Sequence, residues 1–309
     1  MSSGASIPTP ITASEMKVVA RIPEAREVLR EVRRAGQRVA FVPTMGFLHQ
    51  GHLTLAVEAR RRAECAVMSI FVNPLQFGPN EDFARYPRDV QRDLAQAHEA
   101  GIHIMFMPAT EAMYAKASAA VVSPRAAADQ WEGAVRPGHF EGVLTVVAKL
   151  FNIIQPDVAI LGQKDIQQAT LVQGMIRSLD FPVELVVVPT VREPDGLAMS
   201  SRNAYLAGDD RVRALALSRA LRAVDDAWRL GERDARSLEK VGQGVLSGTP
   251  GVTTDYFAVV APESLSPVAQ ADTGAIVIVA ARVGPTRLID NLILGQNRIP
   301  APAAEVSAP

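Results

Sequence analysis

Residues 39–52 read Val-Ala-Phe-Val-Pro-Thr-Met-Gly-Phe-Leu-His-Gln-Gly-His. The four apolar residues at the start predict a short buried strand, and Leu53 to Arg62 is typical of a helix. Two histidines, His49 and His52, therefore lie where a strand gives way to a helix. The glycines let the backbone approach an anion, and the helix N-terminus carries partial positive charge. Imidazoles can also donate hydrogen bonds to oxygens that gain charge during a transfer. The stretch favours nucleotidyl transfer, with surface histidines, a metal pair or a helix cap as the alternatives.

Strand and helix patterns alternate with this stretch as far as about residue 190. Further strands are predicted at Ala66–Val72, Ile102–Met107, Val158–Leu161 and Val183–Val188, and further helices at Val90–Ala100, Val143–Ile154 and Ile166–Leu179. Apolar strands separated by helices predict an α/β fold whose parallel sheet is covered on both faces. Such sheets bind ligands beyond the carboxyl ends of their strands. Pro43, Asn73 and Gly162 each follow a predicted strand, so three candidate site loops share one edge.

The pattern changes after residue 190. Helices are predicted at Arg211–Leu230 and Arg236–Leu246, followed by strands at Asp255–Val260, Ala275–Ala281 and Arg287–Leu294. The last two strands flank a hairpin loop, Val283-Gly284-Pro285-Thr286. We therefore expect a first domain over 1–190 and a smaller α+β domain over 191–296. The ends, 1–15 and 297–309, are rich in Ser, Thr, Ala and Pro and are expected to be disordered.

Composition narrows the class of protein. The chain has 309 residues, 48% of them apolar and 21% charged, and a net charge of −1. A nearly neutral chain offers no basic field for nucleic acid or for a membrane surface. The single cysteine, Cys65, excludes an internal disulfide framework and is expected to be a buried, inert thiol. No apolar run is long enough to span a bilayer, and the start lacks a secretory signal pattern. We expect a cytoplasmic enzyme with no nucleic-acid or membrane partner.

Two later segments carry polar side chains directly after strands. In Phe71–Gly78, Asn73 and Gln76 can bind hydroxyls or carboxylates of a small substrate, or can belong to an ordinary Asn-Pro turn. In Leu161–Gln168, Lys164 is suited to phosphate. Asp165 can cap the following helix or orient Lys164, and Gln168 lies one turn further on the same face. An exposed polar face is the alternative.

Two more segments are candidates for substrate contact. Gly196–Asn203 brings Met199, Ser200, Ser201 and Arg202 to the domain junction, where a flexible loop can close over a triphosphate; a polar linker would have a similar composition. His139, within Arg136–Gly142, is either a substrate contact or a structural histidine. His98 and His103 lack convergent partners and are interpreted as structural, and no His, Cys, Asp or Glu set has metal-ligand spacing.

Together these segments resemble the pantoate–β-alanine ligase family. The resemblance rests on Pro-Thr-Met-Gly-x-Leu-His-x-Gly-His at 43–52, Phe-Val-Asn-Pro-x-Gln-Phe at 71–77, Gly-x-Lys-Asp-x-Gln-Gln at 162–168, Thr-Val-Arg-Glu at 190–193 and Asp-Gly-Leu-Ala-Met-Ser-Ser-Arg-Asn at 195–203. They occur in the family's order and spacing, and cover the chain from about 17 to 296.

The resemblance implies a Rossmann-like nucleotidyltransferase domain with a His-x-Gly-His motif, followed by a smaller domain that folds over the active site. It also implies the ATP-dependent condensation of pantoate with β-alanine through pantoyl adenylate, which releases AMP and diphosphate. Mg²⁺ is expected to arrive with ATP, held by phosphate oxygens and water rather than by the protein. The family is usually homodimeric.

The resemblance also assigns residues. His52 is the implied proton donor, assisted by His49, with Lys164 and Arg202 as further catalytic residues. The implied ATP site comprises Pro43, Met45, Gly46, His49, Gly51, His52, Gly162, Lys164, Asp165, Val191, Met199, Ser200, Ser201 and Arg202. The implied pantoate and β-alanine site comprises Gln76, Gln168, Asn73 and His139.

The chain departs from the family at three positions. Gln163 stands where Glu is common, Ile166 where Tyr is common, and Phe47 where a small residue is frequent. We expect the changes at Gln163 and Ile166 to alter packing or ATP affinity rather than the chemistry, and Phe47 to tighten the loop before His49. Other activities remain open: adenylation of a different carboxylate, AMP transfer to a phosphate ester, and nucleotide binding without turnover.

Overall fold

The computed structural model describes residues 16–79, 81–114, 120–124, 128–296 and 298–300. These residues form two compact units. The first contains the described residues up to Leu161 together with Leu171–Val188. The second contains Gly162–Thr170 together with the described residues from Pro189 onward.

A six-stranded sheet forms the centre of the first unit, in the order β1-β4-β3-β2-β5-β6. Its strands are β1 (Lys17–Val19), β2 (Val39–Thr44), β3 (Cys65–Ile70), β4 (Ile104–Phe106), β5 (Val158–Gly162) and β6 (Glu184–Val188). The pairings that join β1, β4, β3, β2 and β5 are all parallel. Val39, Ala40, Phe41 and Val42 are fully buried, as expected of a central strand covered on both faces. The predicted α/β fold with a parallel sheet is confirmed.

Helices cover both faces of this sheet. The helices in this part of the chain are α1 (Ile22–Arg34), α2 (Gln50–Arg62), α3 (Val90–Glu99), α4 (Thr110–Met113), α5 (Glu132–Val135), α6 (His139–Ile154) and α7 (Ile166–Ser178), the last of which begins in the second unit. Ala40 and Val42 of β2 pack with Ala56 of α2 and Ala97 of α3 in one core. On the other face, α6 contacts both β2 and α1. This packing fixes the loops that leave β2 and β3.

The second unit is built on an antiparallel sheet in the order β7-β8-β9. Its further elements are α8 (Gly208–Arg213), α9 (Leu215–Arg229), α10 (Ala235–Ser247), β7 (Val252–Val260), β8 (Ile276–Val283) and β9 (Thr286–Ile293). Leu221 and Val224 of α9 pack against Val277 and Val279 of β8 in a second core. The predicted hairpin is present, since Val283 pairs with Thr286.

The structure corrects the sequence analysis in several places. Strand β1 and helix α1 were not predicted, although α1 buries Ala25, Val28, Leu29 and Val32 at helical spacing after a proline in its first turn. The single helix predicted over Arg211–Leu230 is divided at Ala214 into α8 and α9.

The limits of the units and tails also differ in detail from those predicted. Gly162–Thr170 groups with the second unit rather than the first. The C-terminal tail was expected to begin at 297, yet Ile299 is buried in the second core. Residues 1–15, 297 and 301–309 lie outside the described residues.

Candidate active site

The two histidines of the first segment form a reciprocal cap at the start of α2. His49 is the N-cap residue, and its Nδ1 accepts a hydrogen bond from the N–H of Gly51 at 3.2 Å. Nδ1 of His52 accepts from the N–H of His49 at 3.4 Å. The ring centroids lie 4.1 Å apart. Because Nδ1 is the acceptor in both rings, the neutral imidazoles carry their protons on Nε2. Each Nε2–H is a hydrogen-bond donor.

The turn before His49 is held by an acidic residue from another helix. Gly46 and Phe47 both have positive φ, +83° and +50°. The N–H groups of Phe47 and Leu48 donate to the carboxylate of Asp93, each at 2.7 Å. Asp93 lies on α3 and is buried. Burial raises the pKa of its carboxyl group, and the two backbone hydrogen bonds oppose that rise.

Asn73 and Gln76 meet after β3, at the 3₁₀ turn Pro74–Gln76. Nδ2 of Asn73 donates to Oε1 of Gln76 at 3.1 Å and to the carbonyl of Gly142 at 3.0 Å. Its Oδ1 accepts from the Tyr114 hydroxyl at 2.7 Å and from the N–H of Leu75 at 3.3 Å. All four hydrogen-bonding positions of the Asn73 amide are thus used within the protein. Since Oε1 of Gln76 faces Asn73, the orientation of the Gln76 amide is fixed.

The same turn connects to the first segment and to α6. Nε2 of Gln76 donates to the Met45 sulfur at 3.2 Å. Nδ1 of His139 lies 2.9 Å from the carbonyl of Gln76, and its Nε2 lies 3.0 Å from an Arg136 nitrogen. Arg136 also pairs with Glu81 through two hydrogen bonds. Burial, followed by the Arg136 charge, lowers the pKa of His139 to about 4. His139 is therefore neutral, with its proton on Nδ1.

In the second unit, the segment that carries Lys164 is tied to strand β9. Nδ2 of Asn291 donates to the carbonyls of Gln163 and Lys164, both at 2.9 Å. Nε2 of Gln163 donates back to Oδ1 of Asn291 at 3.0 Å. Nζ of Lys164 lies 3.9 Å from the Asp165 carboxylate. Gln168 is partly exposed on the first turns of α7.

The segment predicted to be a flexible loop forms a hairpin and a 3₁₀ helix. Met199 N–H donates to the carbonyl of Val191 at 2.9 Å, and Arg192 bridges to Ala198. Ser200 then caps the 3₁₀ helix Ser201–Tyr205 through the N–H of Arg202.

A buried ion pair anchors this hairpin to β9. Arg192 donates to both carboxylate oxygens of Asp290, at 2.6 and 3.0 Å, and both side chains are nearly inaccessible. Because Asn291 follows Asp290 directly, one stretch of β9 holds both the hairpin and the Lys164 segment. The structure thus brings Gly162–Gln168 and Val191–Arg202 together within one unit.

Other side chains considered in the sequence lie apart from these groups. His103 is buried, accepts the N–H of Ala66 and faces Arg60, so it is structural, as predicted. Cys65 is buried, as predicted, and burial raises the pKa of its thiol to about 12, which disfavours the nucleophilic thiolate. Among the described residues, no group of three or more His, Cys, Asp and Glu side chains could hold a metal ion. None of the helices in the described ranges is both long and apolar enough to cross a membrane.

Comparison with known proteins decides the family. The family profile described as pantoate-beta-alanine ligase matches residues 17–293. This chain belongs to the pantoate–β-alanine ligase family. A pantothenate synthetase of Chloroflexus aurantiacus is 50% identical over 280 residues, which are 90% of this chain and 98% of that protein. The predicted family and its activity, ATP-dependent ligation of pantoate and β-alanine, are therefore confirmed.

Solved structures of the pantoate–β-alanine ligase family agree. The pantothenate synthetase from Thermus thermophilus superposes with a TM-score of 0.86 and 48% identity, over 90% of this chain and 99% of that one. The ligase from Francisella tularensis, solved with beta-gamma ATP and beta-alanine, has a TM-score of 0.76 and 30% identity, over 92% and 99% of the two chains.

Sequence reasoning missed the residues that hold the ligase motifs in place. Asp93, Tyr114, Asp290 and Asn291 contact residues of the quoted motifs but themselves lie outside every motif. Arg192 was quoted within a motif without a role. The available signal was weak, because a lone acidic residue on an amphipathic helix or a polar pair in a strand is usually solvent-facing.

Proposed function

We propose that this chain ligates pantoate and β-alanine in two steps. The histidine pair, the turn after β3, the Lys164 segment and the Val191–Arg202 hairpin each have a defined role in these steps. A pantoate carboxylate oxygen attacks the α-phosphorus of ATP, forms the O–P bond of pantoyl adenylate and releases diphosphate. The β-alanine amine then attacks the acyl carbon, forms the amide bond, loses a proton and expels AMP. The observation that best supports the first step is the cap at the start of α2, since Nδ1 is the acceptor in both rings and the proton of each neutral imidazole is therefore on Nε2.

In the first step, His52 donates to phosphate oxygens as diphosphate leaves, and His49 assists. Preorganised donors of this kind stabilise charge that develops in the transition state. The positive end of α2, with Gly51 in its first turn, adds to the attraction for phosphate. Pro43, Met45 and Gly46 complete the proposed ATP contacts of this segment.

We assign pantoate recognition chiefly to Gln76 and Gln168. The Asn73 contact directs the Nε2–H₂ group of Gln76 away from Asn73, so this amide can donate to a pantoate hydroxyl or carboxylate. Asn73 and His139 already bond within the protein through their polar atoms. We therefore propose that they serve the substrate site by orienting Gln76.

The second unit contributes the remaining phosphate and nucleoside contacts. Lys164, Ser200, Ser201 and Arg202 are proposed to bind the phosphates, with Lys164 and Arg202 stabilising the leaving diphosphate. Asp165 orients Lys164. Gly162, Val191 and Met199 are proposed to lie against the nucleoside. We further propose that Mg²⁺ enters with ATP, coordinated by phosphate oxygens and water.

We propose that the enzyme acts in the cytoplasm as a homodimer. A buried single cysteine and the use of ATP fit a reducing cytoplasm. A homodimer, as in the family, would have twice the 33.1 kDa mass of the chain.

Product analysis tests the proposed reaction directly. The chain is incubated with ATP, Mg²⁺, pantoate and β-alanine, and the products are separated and quantified. We expect pantothenate, AMP and diphosphate in equal amounts. Formation of ADP and phosphate would contradict the adenylate route, and ATP binding without product would favour a non-catalytic role.

A further inference from the structure

The turn that precedes the two histidines is itself an anion-binding site, and a side chain of the protein occupies it. Two successive residues with positive φ, Gly46 and Phe47, turn neighbouring N–H groups toward one point. The N–H of Phe47 donates to Oδ2 of Asp93 and the N–H of Leu48 to Oδ1, both at 2.7 Å. Each carboxylate oxygen therefore accepts a hydrogen bond from one backbone N–H of the turn.

The turn is closely fitted around that carboxylate. A Cβ atom on Gly46 would lie 2.9 Å from Cγ2 of Ile70 and 3.0 Å from Oδ2 of Asp93, so only glycine allows this approach. Phe47 adopts a left-handed conformation that non-glycine residues rarely take, and such conformations persist where surrounding contacts impose them. The contacts with Asp93 supply that constraint.

The neighbouring residue on α3 holds the turn from a second side. Arg92 donates to the carbonyl of Leu48 at 3.1 Å, and its guanidinium carbon lies 5.1 Å from the centre of the Phe47 ring. Two neighbouring residues at the start of α3 thus bind the N–H groups of Phe47 and Leu48 and the carbonyl of Leu48. His49, the next residue, is the N-cap of α2, so the direction in which α2 starts depends on this contact.

We infer that Asp93 is a positioning residue for adenylation, holding the Gly46–Leu48 turn so that His49 and His52 meet the reacting phosphates. This inference rests on the proposed function. Asp93 acts through the backbone and touches no reacting atom, so it is not a catalytic residue. The N–H groups of Phe47 and Leu48 bind the Asp93 carboxylate. Phosphate is then bound by the two histidines and the first turn of α2 instead of by these amides.

The substitution Asp93→Asn tests this role, because it preserves the shape of the side chain while replacing one acceptor oxygen by a donor. Asp89→Asn is the matched control, since Asp89 is the exposed N-cap residue of the same helix. Two half-reactions are measured on each variant: pantoate-dependent exchange of diphosphate into ATP, and formation of pantothenate from supplied pantoyl adenylate and β-alanine.

We expect Asp93→Asn to slow the exchange by about tenfold to a hundredfold, the range typical of a small misplacement of catalytic groups. Amide formation from supplied pantoyl adenylate should change less than twofold. Hydrogen–deuterium exchange of the Phe47 and Leu48 amides should become faster, and Asp89→Asn should match the unsubstituted chain in every assay.

An equal fall in both half-reactions would indicate loss of folded protein and would overturn the inference, as would an unchanged exchange rate. If the unsubstituted chain itself shows no pantoate-dependent exchange, the proposed function fails, and this role fails with it. Should Asp93→Asn not fold, Arg92→Gln replaces it. Removal of the contact to the Leu48 carbonyl is then expected to slow exchange severalfold and spare amide formation, and equal effects on both would again overturn the inference.

Discussion

At the scale of single residues, hydrogen-bond direction determines what the two imidazoles can do. Both Nδ1 atoms accept backbone N–H groups, so both Nε2 atoms carry protons. The rings that form this cap are neutral, and each carries an Nε2–H hydrogen-bond donor at the positive end of α2. A cap and a phosphate-binding role, which are alternatives at the level of sequence, are therefore compatible in one structure.

Replacing His52 by alanine removes the proposed hydrogen-bond donor to the reacting phosphates. We expect the rate of adenylation to fall by roughly 10²–10³-fold, as for loss of one donor to a transition-state oxyanion. His98→Ala is the control, because His98 is an exposed histidine on α3. The rate of diphosphate exchange measures the effect. A loss of less than fivefold with unchanged ATP affinity would remove His52 from the mechanism.

His139 makes stability depend on pH. Its pKa falls to about 4 in the folded chain because of burial, with a further contribution from Arg136, whereas an unfolded histidine titrates near pH 6.5. Between about pH 4 and pH 6.5, the His139 ring is therefore protonated in the unfolded chain but neutral in the folded chain. The contribution of His139 to stability is therefore complete above pH 6.5 and lost as the pH falls toward 4, by up to about 3 kcal/mol.

The variant His139→Asn isolates this effect, since asparagine can still donate to the Gln76 carbonyl but does not titrate. Denaturant unfolding of both proteins at pH 7 and at pH 4.5 gives the difference in the free energy of unfolding. We expect the advantage of the unsubstituted chain to shrink at pH 4.5. Parallel pH dependence in the two proteins would show that His139 is not held neutral.

Some site residues could be predicted from sequence and others could not, for a physical reason. His49, His52, Asn73 and Gln76 lie in the segments that follow β2 and β3, and such a change from an apolar strand to polar residues is visible in the local sequence. Asp93, Tyr114 and Asn291 reach the motif segments from far along the chain, at separations of 41 to 128 residues. Their roles depend on tertiary packing, which no local pattern records.

At the scale of elements, the approach of α6 to the 3₁₀ turn Pro74–Gln76 holds the Gln76 amide. A Cβ atom on Gly142 would lie 2.3 Å from the Leu75 carbonyl oxygen and 2.7 Å from the Gln76 nitrogen, so glycine is required where the helix meets the turn. The carbonyl of Gly142 also accepts from Asn73 at 3.0 Å. The contact between α6 and this turn therefore also fixes the orientation of the Gln76 amide.

Gly142→Ala is therefore expected to displace the turn. We predict a loss of stability of about 1–3 kcal/mol, typical of overpacking, together with a several-fold higher KM for pantoate. Gly174→Ala is the matched control, because a Cβ atom there meets nothing within 4 Å and α7 should gain slightly from alanine. Thermal unfolding and steady-state kinetics measure both. Equal behaviour of the two variants would contradict the close contact.

Elements with a strong local signal were predictable, and the weakly encoded ones were not. The buried strands β2, β3 and β5 show as apolar runs, and α9 shows as an amphipathic repeat. Strand β1 has only three residues and exists because Lys17–Val19 pairs with Ile104–Phe106. Its formation is a property of the sheet, which explains why the sequence did not reveal it.

At the scale of the whole molecule, the proposed roles are divided between the two units. The histidine pair and Gln76 belong to the first unit, and Lys164 and Arg202 belong to the second. The main segment of the second unit begins at Pro189. The membership of Gly162–Thr170 was not predictable, because hydrogen bonds to Asn291 draw this segment into the second unit.

The proposed mechanism requires the chain to activate pantoate as an acyl adenylate. Exchange of labelled diphosphate into ATP, measured with Mg²⁺ and pantoate but without β-alanine, tests it most directly. We predict exchange that requires pantoate and that slows in His52→Ala. Absence of exchange with pantoate, while calorimetry detects ATP binding, would contradict it.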